Sequence, residues 1–181
     1  QIPESEVEFN QLLTKIKHGD RLKDSGTIVF WENLTVLEHT GHSGLANEEF
    51  NRLVEESRSH LELIFHRFLT GEENLTKCAM SINDRPLTPF DPFHTKSPAT
   101  QVTDKEVMSE NVSFQVYTLP HHNMISKKDW EYYGGREGYL RNQGLYIYRE
   151  KRLIDYGDWH RMARQTELNK LTRVKIDITN K

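Results

Sequence analysis

Gly144-Leu145-Tyr146-Ile147-Tyr148-Arg149-Glu150-Lys151-Arg152-Leu153-Ile154 is the stretch on which the fold turns. Residues 144–149 are rich in aromatic and β-branched side chains, which pack well on a pleated surface and predict a strand. Glu150-Lys151 predicts a tight turn, and Arg152–Tyr156 the return strand. A charged tip of this kind discourages edge-to-edge association. Downstream, Leu171–Ile178 alternates apolar and charged residues, so one face of a further strand is expected to be wet and the other to pack on a core.

Working upstream, Val112–Leu119 alternates and predicts another strand, and Lys77–Asn83 does so more weakly. Asn83-Asp84-Arg85-Pro86 reads as a turn. Pro86–Pro98 holds four prolines and predicts an irregular crossing. His121–Gly138 is polar and aromatic, with a helical turn expected near Lys127–Tyr132. The strongest helix signal lies further back. Phe50, Leu53, Val54, Ser57, Leu61, Ile64, Phe65 and Phe68 recur at spacings of three and four. Asn47 is its expected N-cap, and about 20 residues give roughly 30 Å. Arg52, Glu55, Glu56 and Arg58 would form its solvent face. Val7–Ile16 predicts a shorter helix, and Gly26–Trp31 a buried strand. Helices followed by several strands imply an α+β fold, a mixed or antiparallel sheet with helix on one face.

The 181 residues carry a net charge of −3, but unevenly. Arg136–Lys181 has 11 basic and 6 acidic residues, a net +5, which leaves −8 for the remainder. A basic C-terminal third suits either a nucleic-acid surface or solvated strand faces. No apolar run is long enough for a membrane span. The single cysteine, Cys78, allows no internal disulfide and is expected in the core of a strand; a reducing cytoplasm fits it.

Catalytic signals are few. His39/His42 and His121/His122 lack the HExxH form and a clear third ligand, so no metal site is expected. His60 and His66 read as helix-surface or boundary residues. There is no Gly-x-Ser-x-Gly elbow. Gly134-Gly135-Arg136-Glu137-Gly138 is not a P-loop and reads as a turn. Trp130, Tyr132, Tyr133 and Tyr139, interleaved with basic residues, suit base stacking or ordinary loop packing.

Several segments resemble GHKL ATPases (gyrase, chaperone, histidine kinase, MutL) of the MORC-like and MutL-like kind. Leu140–Ile154 resembles a hairpin of that group, and Gly26-Thr27-Ile28-Val29-Phe30-Trp31-Glu32-Asn33-Leu34 resembles the strand that closes its ATP-binding domain. His66-Arg67-Phe68, Lys77–Asn83, Pro89-Phe90-Asp91-Pro92-Phe93 and Arg173–Ile178 are similar to bacterial ATP-binding proteins of the group, in the same order. The resemblance implies that residues 1–46 are the tail of an ATP-binding domain and 47–181 a transducer-like α+β domain, as in gyrase B and MutL. It implies a module that relays ATP-driven closure and has no catalytic residue of its own. ATP and Mg²⁺ would be held by motifs N-terminal to Gln1. Thr27 would approach nucleotide in the full-length protein. Arg141, Asn142, Gly144 and Arg152 would make structural or interdomain contacts. Lys181 stands as a candidate for the basic γ-phosphate contact, which in relatives lies just beyond the last strand. The implied partners are the protein's own ATP-binding domain, a second copy and DNA. The alternatives are a nucleic-acid-binding module and a plain protein-interaction domain. A fold lacking a left-handed strand–helix–strand crossover would favour the last.

Overall fold

The computed structural model describes residues 5–15, 27, 29, 43–72, 75–135 and 137–180, without the side chains of residues 12, 15 and 43–47. The chain divides into two units, Gln1–Phe50 and Asn51–Lys181. In the first, helix α1 (Glu6–Lys15) forms where the apolar spacing predicts it, with two glutamates in the first turn. The expected strand Gly26–Trp31 lies outside the described residues except for Thr27 and Val29, both exposed.

Helix α2 (Ser43–Ile64) begins four residues before Asn47, which is therefore not its cap. It breaks at Phe65, and α3 (His66–Thr70) follows, closed by Gly71 in the left-handed region at φ 75°. That region costs glycine little, which is why glycine ends helices so often. The apolar stripe of α2 is not uniformly covered: Phe50 and Leu53 are exposed, and burial is reached only at Ile64. Arg58, expected on the solvent face, folds over a small hairpin of β1 (Ser81–Ile82) and β2 (Arg85–Pro86). Its guanidinium donates to the carbonyls of Ile82 and Pro86 at 3.1 Å each. Asn83 and Asp84 turn this hairpin with φ of 50° and 61°. The strand expected from Lys77 is thus only two residues long, and Cys78 is exposed rather than in the core. The four residues before Ser81 find no strand partner among the described residues, so nothing draws the small apolar thiol inward.

The main sheet comprises β3 (Gln101–Val102), β4 (Glu106–Ser109), β5 (Val112–Thr118), β6 (Gly144–Arg149), β7 (Arg152–Asp158) and β8 (Thr172–Ile178). The order is β3-β5-β8-β6-β7, with β4 also pairing β5. Only β6 and β8 run parallel; the other pairs are antiparallel. This is a mixed α+β fold, as the order of elements implies. Between β5 and β6 lie α4 (Lys127–Gly134) and α5 (Gly138–Arg141). Ser126 caps α4, its hydroxyl accepting from the amide of Asp129 at 3.0 Å. The glycine-rich stretch expected to be a turn supplies α5 as well.

One face of the sheet carries the end of α2, α3, the proline-rich crossing and α4–α5. Its core is Ile64, Phe93, Tyr117, Tyr146, Tyr148 and Leu153. Phe93 rests on Tyr117 at 4.5 Å and on Tyr146 at 5.4 Å between ring centroids.

The burial of β8 inverts the expected sense. Arg173, Lys175 and Asp177 are the buried positions, and Thr172, Val174, Ile176 and Ile178 are half-buried. A period of two says that the faces differ; it does not say which one the helices cover. The covered face is the charged one because Arg67 of α3 meets Asp177, Glu72 just past α3 meets Lys175, and backbone carbonyls meet Arg173.

Candidate functional site

Strand register sets the site out in rows. Ser113, Asp177 and Tyr148 are neighbours across β5, β8 and β6, as are Gln115, Lys175 and Tyr146, and then Tyr117, Arg173 and Gly144. Of these, Tyr148 and Asp177 meet α3, and Lys175 meets the residue just past its C-cap, so that Arg67 and Glu72 bring the complementary charges. Arg67, fully buried, donates to the Asp177 carboxylate at 2.5 Å. Glu72 sits 3.3 Å from Arg67 Nε and accepts from Lys175 Nζ at 3.1 Å. The order Lys175–Glu72–Arg67–Asp177 alternates in sign, so each charge removed from water is set against an opposite one.

His66 opens α3 and is buried in the same layer, not on a helix surface, and its Nε2 lies 2.8 Å from the Tyr148 hydroxyl. Burial, chiefly, lowers its pKa to about 4; Arg67 and Lys175 push the same way, and Asp91 opposes them. His66 is therefore neutral at pH 7. Burial raises the Tyr117 hydroxyl to about 12 and holds that of Tyr148 well above its ordinary range. At the edge of this layer a small open depression is lined by Lys105, Ser113, Phe114, Gln115, Lys175 and Asp177.

A second polar region lies at the other end of β8. Arg173 is 1 % exposed. Its guanidinium donates to the Pro92 carbonyl and, at 2.9 Å, to the Tyr133 carbonyl. It lies over the rings of Tyr146 at 5.5 Å and Tyr139 at 6.0 Å. His94 stacks on Tyr133 at 3.5 Å and Trp130 on Tyr139 at 3.9 Å, while Phe90 meets Tyr132 and Tyr133. The aromatic residues around the glycine-rich stretch thus largely face one another.

Arg141, Asn142 and Gly144 share one end of the sheet. The Asn142 amide donates to the carbonyls of Gly134 at 2.8 Å and Gly138 at 3.0 Å, fastening α4 to α5. Arg141 is exposed, and its carbonyl accepts from Gln165. Arg152, at the far tip of the β6–β7 hairpin, lies over the Phe65 ring at 5.3 Å. Thr27 is exposed, and Lys181 lies outside the described residues. Sequence reasoning passed over Gln143, which is fully buried and fully engaged. Its amide donates to Leu140 and Thr166 carbonyls, and its oxygen accepts from Trp159 Nε1 and the Thr166 amide. A glutamine beside a glycine that opens a strand was the available signal. It also passed over Glu72, which lies outside every periodic run.

Among the described residues no group of three or more histidine, cysteine, aspartate or glutamate side chains is placed to hold a metal ion. Nor is any helix there long and apolar enough to cross a membrane. Compared with protein-family models, curated proteins and solved structures, the chain finds no match.

Proposed function

We propose that this chain is a relay module of a GHKL-type ATPase, one that couples nucleotide-driven closure to other parts of the protein and performs no chemistry itself. The observation that carries the reading is the charged interface between α3 and β8. Alternating charges fix the register of a helix on a central strand, because a slip by one residue would set like charges together or leave one unpaired. Such an interface holds one of a few discrete positions and does not deform continuously, which is the property a relay needs. The order of the resembling segments supports the same reading. In a full-length protein carrying the ATP-binding part, a non-hydrolysable ATP analogue should alter amide exchange in α3 and β8. Unchanged protection there would end the proposal, and so would tight Mg·ATP binding by this chain alone.

One observation favours a second reading, a plain protein-interaction domain. The parallel pair β6 and β8 is joined through β7 and the irregular residues 159–171, not through a helix. A strand–helix–strand crossover between parallel neighbours is thus missing among the described residues. The nucleic-acid reading gains less, since Trp130, Tyr133 and Tyr139 stack on side chains of this protein, and Arg173 and Lys175 point inward.

A further inference from the structure

Arg173 is a cation almost wholly removed from water, and no carboxylate among the described residues pairs with it. Two carbonyls take two of its nitrogens, while Nε has no hydrogen-bond partner there. Two further buried atoms close by are in the same position: the Tyr139 hydroxyl and His94 Nδ1. Contacts link the three groups. Arg173 lies over the Tyr139 ring, and the carbonyl it holds belongs to Tyr133, on which His94 stacks. The carboxylates whose charge reaches His94 are engaged elsewhere. Asp91 accepts from the amides of Phe93 and Thr95 and from the Thr95 hydroxyl, and Asp129 accepts from the Ser126 hydroxyl.

A buried charge without a counter-charge costs several kcal/mol, and each buried donor without an acceptor adds to it. Carbonyl dipoles and ring faces offset part of this. They do not supply an acceptor for Nε or for the tyrosine hydroxyl. Arg173 Nε can only donate, and the tyrosine hydroxyl and, in one tautomer, His94 Nδ1 can donate as well, so one acceptor would serve all three, and the net positive charge selects an anionic one. Burial of Arg173, His94 and Tyr139 limits its size.

We propose that Arg173, with Tyr139 and His94, binds a small monovalent anion of the chloride class. This goes beyond the relay reading and does not depend on it. The test is thermal unfolding of the full chain in sodium chloride and in sodium gluconate at equal ionic strength, gluconate being too large to enter. Chloride at ten times its dissociation constant should raise the midpoint by about 3–6 °C over gluconate. Tyr139→Phe, which keeps the ring and removes the donor, should lose at least half of that difference, and Arg173→Met all of it. Equal midpoints in the two salts for the wild-type chain would overturn the proposal. So would a difference undiminished in Tyr139→Phe, which decides the matter even if Arg173→Met does not fold.

Discussion

Arg67 and Asp177 stand 110 residues apart in the chain and meet at 2.5 Å in its interior. The pair fastens α3 to the strand at the centre of the sheet, and Glu72 and Lys175 extend it into a chain of four charges.

Removing one member should therefore hurt more than removing both. Asp177→Ala leaves a buried guanidinium with less compensation and should cost about 3–5 kcal/mol. Arg67→Met combined with Asp177→Leu exchanges the pair for apolar groups of similar bulk and should recover much of that loss. Urea unfolding of the single and double variants measures this. If the double variant is as unstable as the sum of the two singles, the pair is not coupled in the way described.

His66 should make the fold acid-sensitive. Its folded pKa, about 4, lies below the ordinary 6.5, chiefly because burial disfavours the imidazolium. The unfolded chain thus takes up the proton first as the pH falls. The contribution of His66 is complete above pH 6.5 and is lost progressively down to about pH 4, by about 3 kcal/mol in all. His66→Gln should flatten the unfolding free energy between those pH values relative to wild type. A wild-type profile with the same slope as the variant would refute the assignment. Tyr148→Phe, which removes the hydroxyl beside Nε2, should cost about 1 kcal/mol near neutral pH.

Strands β5 to β8 were legible in the sequence because their signals are local, whereas the short β3 and β4 carry none. Val112–Thr118 and the hairpin with Glu150-Lys151 at its tip follow from alternation and turn chemistry. What local pattern could not supply was sidedness and partnership. Arg173-Val174-Lys175-Ile176-Asp177 announces two faces, but the one that is covered depends on Arg67 and Glu72, about a hundred positions away. Cys78 failed for the converse reason: its apolar neighbourhood suggested a core strand, and among the described residues no partner strand reaches it. Of the residues expected to make structural contacts, Asn142 and Gly144 hold the backbone at one end of the sheet. The ionic layer went unseen because buried charges are rare, and each of its members reads as a surface residue when taken alone.

Backbone conformation gives a sharper test at two glycines. Gly144 opens β6 at φ 114°, and an added Cβ would stand 2.6 Å from the Asp158 carbonyl oxygen. Both the dihedral and the contact exclude a side chain, and the contact is with backbone, which cannot swing aside. Gly138 has φ 75° with nothing within 4 Å of the same position, so a side chain there meets strain without a clash. Gly138→Ala should cost about 1 kcal/mol, the order expected for a non-glycine residue in the left-handed region. Gly144→Ala should cost more than the roughly 1–3 kcal/mol that strain alone imposes. It should also loosen the pairing of Leu145 with Asp158, seen as lost amide protection at the start of β6. Equal destabilisation by the two substitutions would mean that the β7 backbone yields to the new methyl group, and that the close approach at Gly144 is not what requires glycine there.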